Sequence, residues 1–323
     1  MKNEPDGIAQ ADLVTALKHG WGVDVISLEY LPLGAGSYHW NAVISNGSEV
    51  FVTVDDLGKD ANERNISHDT LTAAFDTAYT LHHDAHLKFV VCPLPTISKT
   101  TLWMIGSRYA VSLYKKLKKS PRESQFHSEP IEKGLAVMLA SLHSSTPLTT
   151  KIAKRTSLTI TRRTELEFAL SQTQEEWRKG PYAELVRRLL ARNASRIERL
   201  LEFHDRLAAQ VRQTERRWVI THGEPHDGNI VRSPEGLYLV DWDTVKIAPA
   251  ERDLWMAAGG SEKLTGYYTT LTGHQVDPAC IKFYEVHWKL LNIAKYASQL
   301  YLEHSATDDT RDSWGYLQNH LKG

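Results

Sequence analysis

Only two of the 323 residues are cysteine, Cys92 and Cys280, and they stand far apart in the chain. That scarcity excludes a disulfide-stapled scaffold and reads as two thiols kept reduced. No apolar run approaches the roughly 20 residues that cross a bilayer as a helix. The stretch Met1 to Asp6 contains Glu4 and Asp6 and no apolar core, so no secretory leader is expected there. Charge of either sign is also missing in excess: the formal net charge is −1. A nucleic-acid-binding face would push the whole domain basic, so that class is excluded. Internal repeats and low-complexity segments are absent too. The remainder, 41% hydrophobic and 24% charged, describes a soluble globular protein, expected to be cytoplasmic. Its length suits two cores of ordinary size.

The first third reads as strands with helices. Residues 10–20 form a short amphipathic helix with Gly20 as its cap. Val25 to Leu33, Tyr38 to Ser45 and Glu49 to Asp55 alternate as strands, joined by Gly34-Ala35-Gly36-Ser37 and by Asn46-Gly47, a strong hairpin signal. Residues 67–84 place Leu71, Ala74, Phe75, Ala78 and either Leu81 or His82 on one helical face. Strands are expected again at Lys88–Cys92, Leu102–Ser107 and Tyr109–Leu113. A lysine-rich stretch from Lys115 to Arg122 then marks a change of regime, and a hinge is placed near residues 113–121. Beyond it, Ile131–His143, Tyr182–Arg212 and Phe283–Tyr301 read as long helices. The expectation is an α+β, bilobal chain with lobes at 1–115 and 116–323.

One segment carries chemistry. Thr221-His222-Gly223-Glu224-Pro225-His226-Asp227-Gly228-Asn229 lies between the apolar runs Trp218–Ile220 and Ile230–Arg232. A turn at Ser233 to Gly236 follows, then a strand from Leu237 to Trp242 that ends at Asp241. Such a hairpin folds Asn229 back towards Asp241, so that two oxygens can reach one octahedral Mg²⁺. Phosphoryl transfer from a nucleotide needs this inventory: a carboxylate to orient the attacking hydroxyl, and an amide and a second carboxylate for the metal. The spacing matches the catalytic loop and metal strand of the protein-kinase signature.

With glycine after the histidine, the segment resembles the aminoglycoside phosphotransferase and choline kinase superfamily, whose fold is protein-kinase-like. The likeness extends to Gly34-Ala35-Gly36-Ser37 as a glycine-rich loop, to Leu139-Ala140-Ser141-Leu142-His143, and to Ala248 to Trp255. It implies an antiparallel-sheet N-lobe for nucleotide and a mainly helical C-lobe for acceptor. It implies Glu224 as catalytic base, Asn229 and Asp241 as Mg²⁺ ligands, and Gly34, Gly36, Ser37 and Thr53 at the nucleotide. His222, His226 and Asp253 are implied to order the loop rather than to react.

Two departures stand out. The family usually has aspartate where this chain has Glu224, which moves the carboxylate by one methylene; His-Gly-Glu-Pro-His recurs within the superfamily, so backbone compensation is expected. The third strand also lacks the phosphate-gripping lysine, with Thr53 at its register and Asp76 the nearest substitute for the partner glutamate. A second Mg²⁺ or His39, Lys59 or Arg64 is the expected replacement.

The resemblance implies transfer of the γ-phosphoryl of ATP or GTP to a small-molecule hydroxyl. Aminoglycoside or aminocyclitol antibiotics of the spectinomycin type head the acceptors. An amino alcohol, sugar or nucleoside kinase stays open, as does a nucleotide-binding pseudokinase. A cationic acceptor calls for carboxylates in the cleft, and Asp227, Asp243, Glu251 and Glu285 are the candidates. His82 and His86 stand one helical turn apart, but no third ligand follows at zinc spacing, so an exposed helix end is expected.

Overall fold

The computed structural model describes residues 1–34, 36–58, 66–118, 120, 128–213 and 218–322. Ala35, Lys59, Arg64, Lys119, Pro121 and Arg122 lie outside the described residues.

Helix α1 (Gln10–Trp21) precedes strands β1 (Val25–Leu31), β2 (Tyr38–Ile44) and β3 (Glu49–Asp56). Helix α2 (His68–His83), β4 (Trp103–Ile105) and β5 (Tyr109–Lys115) follow. The five strands form one antiparallel sheet in the order β1-β2-β3-β5-β4. Period-two alternation sorts β3: Val50, Val52 and Val54 pack with Leu13, Ala16 and Leu17 of α1, while Thr53 and Asp55 face the other way. Helix α1 runs past Gly20 and is capped by Gly22 in the left-handed conformation, φ 70°. Gly20 is instead the close-approach site, where an added Cβ would lie 3.4 Å from the Trp103 ring. Ser67 caps α2 by accepting from the Thr70 N–H. Its buried face divides: Leu71 and Phe75 pack on Leu57, Leu102 and Ala110, whereas Ala74, Ala78 and Leu81 enter the large core beneath.

The strand expected at Lys88–Cys92 does not join this sheet. Val90 makes a lone parallel bridge to Leu239, and Pro93 and Pro95, just beyond the segment, cannot donate to extend that pairing.

Helices dominate the remainder: α3 (Glu129–Ser144), α4 (Thr146–Thr149), α5 (Arg163–Ser171), α6 (Ala183–Gln213), α7 (Glu251–Ala258), α8 (Glu262–Thr272), α9 (Pro278–Tyr301) and α10 (Asp308–Leu321). Helix α9 starts where Asp277 accepts from Ala279 and Cys280, with Pro278 at its first position. Two small antiparallel ribbons interrupt the helices. One pairs β6 (Trp218–Thr221) with β9 (Lys246–Pro249); the other pairs β7 (Ile230–Ser233) with β8 (Gly236–Leu239). Buried Val219, Ile220, Ile230 and Leu239 anchor both ribbons in the core formed with α3, α7 and α8. A second core joins α5, α6, α9 and α10. Among the described residues, no helix is long and apolar enough to cross a membrane.

Candidate active site

Strand β6 delivers the loop and the β7–β8 hairpin closes it. Register pairs Ile230 with Leu239, and the Asn229 carbonyl accepts from the Val240 N–H at 3.0 Å. Asn229 thus stands opposite the residue just before Asp241. The strand expected to run to Trp242 stops at Leu239, because Asp241 turns into the left-handed region at φ 69°. That conformation is costly for a non-glycine residue and, where it occurs, is held by its surroundings. The anchor here is Trp242: its buried indole N–H donates to the Leu239 carbonyl at 2.8 Å and its ring meets His222 edge-on at 4.7 Å.

His222 is fully buried and bonds at every polar atom. Its N–H donates to Asp253 Oδ2 at 2.9 Å, and its carbonyl accepts from Thr244 Oγ1 at 2.8 Å. Nε2 donates to the Val240 carbonyl at 2.9 Å, while Nδ1 accepts from the Glu224 N–H at 3.2 Å. One ring nitrogen donating and the other accepting defines a neutral imidazole. Burial pushes its pKa down to about 4, opposed by the Asp253 charge. His226 similarly accepts at Nδ1 from the Gly228 N–H at 3.1 Å.

Asp253, on α7, receives both N–H groups at the loop entrance, from His222 and from Gly223 at 2.6 Å. His143 Nε2 donates to it at 3.1 Å, and His143 Nδ1 contacts the Tyr268 hydroxyl at 2.6 Å. Burial alone would raise the Asp253 carboxyl pKa, but the bond and charge of His143 together with Arg252 and His222 hold it below the ordinary value. Arg252 braces the loop from the other side, donating to Thr221 Oγ1 and to the Thr244 carbonyl, both at 2.9 Å. Its guanidinium lies where a Cβ on Gly223 would be, and Gly223 has φ 103°. His143 and Arg252 were given no role from sequence. Their signal was adjacency: His143 ends the segment Leu139–His143, and Arg252 precedes Asp253.

Glu224 is half-buried and its carbonyl accepts from Asn229 Nδ2 at 3.0 Å. That bond commits the amide nitrogen and leaves Asn229 Oδ1 as the oxygen that can ligate. Tyr296 on α9 has its phenol pushed up to about 12 by burial, with the charges of Tyr316 and Glu224 adding, so the Glu224 carboxylate lies within electrostatic reach of α9. On the sheet side, burial pushes the Tyr114 hydroxyl up, and the charges of Asp55, Asp241 and Asp243 act in the same direction.

Gly34, with φ 65°, Gly36 and Ser37 belong to the connection between β1 and β2. Ser37 Oγ donates to Asp55 Oδ1 at 2.6 Å, tying that connection to β3. Thr53, at the register of the missing lysine, is buried and lies beside His39, whose Nδ1 is 3.2 Å from Thr53 Oγ1. Asp76 accepts from Thr101 Oγ1 at 2.7 Å. Arg108 is committed to Asp56 through two bonds of 2.7 and 2.6 Å.

The four acceptor carboxylates part company. Asp243 is half-buried, and Asp227 is 3.5 Å from Arg232. Glu251 is fully buried, accepting from His274 Nε2 at 2.9 Å and from the Asp277 N–H at 3.0 Å. That carboxylate links α7 to the start of α9, which corrects its expected place on an open cleft wall. Glu285 sits on the α9 surface, paired with Lys282 at 2.9 Å.

Residues 59–285 match the model of the phosphotransferase enzyme family. The chain belongs to that family. Protein StrN of Streptomyces griseus is 31% identical over 144 residues, 44% of this chain; the match spans 42% of that relative's length. A spectinomycin phosphotransferase solved with ADP and spectinomycin superposes with a TM-score of 0.76 at 18% identity, covering 98% of this chain and 95% of the other. A microcompartment-associated aminopropanol kinase gives a TM-score of 0.64 at 12% identity, with 97% and 95% covered. The fold of this phosphotransferase is thus the protein-kinase-like one.

Proposed function

We propose that this phosphotransferase moves the γ-phosphoryl of ATP or GTP to a hydroxyl of an aminoglycoside or aminocyclitol, with residues 1–115 holding the nucleotide and 116–323 the acceptor. The observation that carries this reading is the hairpin that seats Asn229 beside Asp241, one loop away from Glu224. The donor set is an amide oxygen and a carboxylate, hard oxygen ligands that suit Mg²⁺. An ion held there would supply charge neutralisation for the transferring phosphoryl group. Glu224 accepts the hydrogen bond of the acceptor hydroxyl and takes its proton as the new O–P bond forms. The bond to the β-phosphate oxygen breaks, and the nucleoside diphosphate leaves with its electron pair. Asn229 Nδ2 and the Glu224 carbonyl keep base and metal ligand in fixed relation, which near-attack geometry requires. The Glu224 backbone is held at both N–H and carbonyl, which fixes the point from which its longer side chain reaches the acceptor.

The ADP-bound spectinomycin enzyme supports a nucleotide donor and an aminocyclitol acceptor. The aminopropanol kinase supports an amino alcohol acceptor as the second reading. Release of nucleoside diphosphate, followed across antibiotics and amino alcohols with ATP and with GTP, separates them. Turnover with aminocyclitols sustains the proposal, and turnover confined to amino alcohols transfers it to the second reading. Mg-nucleotide binding without transfer to any acceptor leaves a nucleotide-binding pseudokinase.

A further inference from the structure

Three side chains that phosphoryl transfer leaves unused meet where α2 ends. His82, His83 and Cys92 present ligand atoms that all lie within 4.8 Å of one another. We propose that they form a binding site for a borderline-soft divalent ion of the zinc class, separate from Asn229 and Asp241.

Ligand chemistry is the first argument. Two imidazoles and a thiolate suit Zn²⁺ and its neighbours, whereas Mg²⁺ takes oxygen. Orientation is the second. His82 Nδ1 is 2.7 Å from the Val90 carbonyl. A carbonyl only accepts, so Nδ1 carries the proton and Nε2 keeps its lone pair for an ion. Metal-bound histidines are ordinarily steered by this outer bond. Exposure is the third: His82 and Cys92 are half-buried while His83 is exposed, so an ion can reach the group from solvent. Tetrahedral bonds of about 2.0–2.3 Å bring ligand atoms to roughly 3.3–3.7 Å. From separations of at most 4.8 Å the side chains need draw in by no more than about 1.5 Å, a movement open to His83 on the last turn of α2.

Sequence spacing had pointed elsewhere. His86 lies past the end of α2 with φ 57°, off the helical repeat that would align it with His82. Cys92 supplies the third ligand because its segment doubles back to meet β8: the Val91 N–H donates to the Leu239 carbonyl at 3.1 Å, and the Leu239 N–H donates to the Phe89 carbonyl at 2.8 Å. An ion here clips α2 to the segment paired with the strand that leads into Asp241. Binding only to the folded chain raises its melting temperature.

The test uses the whole chain, stripped with a chelator and titrated without nucleotide, first with Co²⁺ and then with Zn²⁺. One Co²⁺ per chain is expected, with a thiolate-to-cobalt absorption band that Zn²⁺ abolishes, and Zn²⁺ should raise the melting temperature. Cys92→Ser should remove the band. His83→Ala, at an exposed position, should weaken Co²⁺ binding by at least about tenfold without moving the metal-free melting temperature. Asp241→Asn should leave the band intact. Cys280 is the other cysteine in the chain, so a band that survives Cys92→Ser overturns the proposal. Absence of any thiolate band in the native protein, or unchanged Co²⁺ affinity in His83→Ala, overturns it equally.

Discussion

Glu224 offers its carboxylate from a backbone gripped on both sides, by His222 Nδ1 at its N–H and by Asn229 Nδ2 at its carbonyl. If that carboxylate takes the acceptor proton, Glu224→Gln keeps the shape and removes the base. Steady-state kinetics should then show kcat lower by about 10²–10⁴-fold, while nucleotide binding measured by calorimetry stays unchanged. Retained turnover would remove Glu224 from the mechanism. His222 makes a different prediction. Its folded pKa of about 4 lies below the ordinary 6.5, so protonation favours the unfolded chain. The stability this contributes is complete above pH 6.5 and is lost as pH falls towards 4, by about 3 kcal/mol at most. Buried His287, pushed down to about 3, acts in the same direction. Urea midpoints followed from pH 7 to pH 4 should fall, and His222→Asn should flatten the slope even though it weakens the fold at pH 7. At this scale the placement of Glu224 and Asn229 in one loop was readable from spacing. Glu251 was not, because an acidic residue in sequence carries no mark of whether it is buried against His274 or open to a ligand.

Between β6 and β7, the loop keeps its shape through Asp253 and Arg252, both brought by α7. Gly223 is the point where this bracing leaves no room for a side chain. Gly223→Ala combines a strained φ with a clash against the guanidinium and should cost about 2 kcal/mol or more. A denaturant titration measures it, and an alanine variant of native stability would contradict the packing described. The same scale shows why two elements were misplaced. Gly20 and Gly22 are both plausible caps on propensity, and contact with Trp103 assigns them different tasks. Lys88–Cys92 has the apolar content of a strand, yet it makes only a bridge with β8, and Pro93 and Pro95 just after it cannot donate to lengthen that pairing. Long periodic helices such as α6 and α9 were recovered within a few residues, because a 3.6-residue repeat over many turns cannot be satisfied by another element.

For the molecule as a whole, the test is linkage between Mg-nucleotide and folding. A ligand that binds only the folded chain at 100 times its Kd adds about 2.7 kcal/mol, visible as a raised melting temperature. Asp241→Gly should abolish that rise. A variant whose melting temperature still rises normally with Mg-nucleotide would overturn the metal assignment.

Local information sufficed for the sheet-then-helix order, the glycine turn, and the hairpin uniting Asn229 with the Asp241 strand, because alternation, turn residues and short spacing act over a few neighbours. Tertiary structure decided what depends on residues distant in the chain. It drew His143 and Arg252 to the loop, withdrew Glu251 into the interior, turned Asp241 left-handed over a buried tryptophan, and brought Cys92 to two histidines. Such contacts arise from how cores pack and where buried polar groups find partners, and no repeat or motif along the chain encodes them.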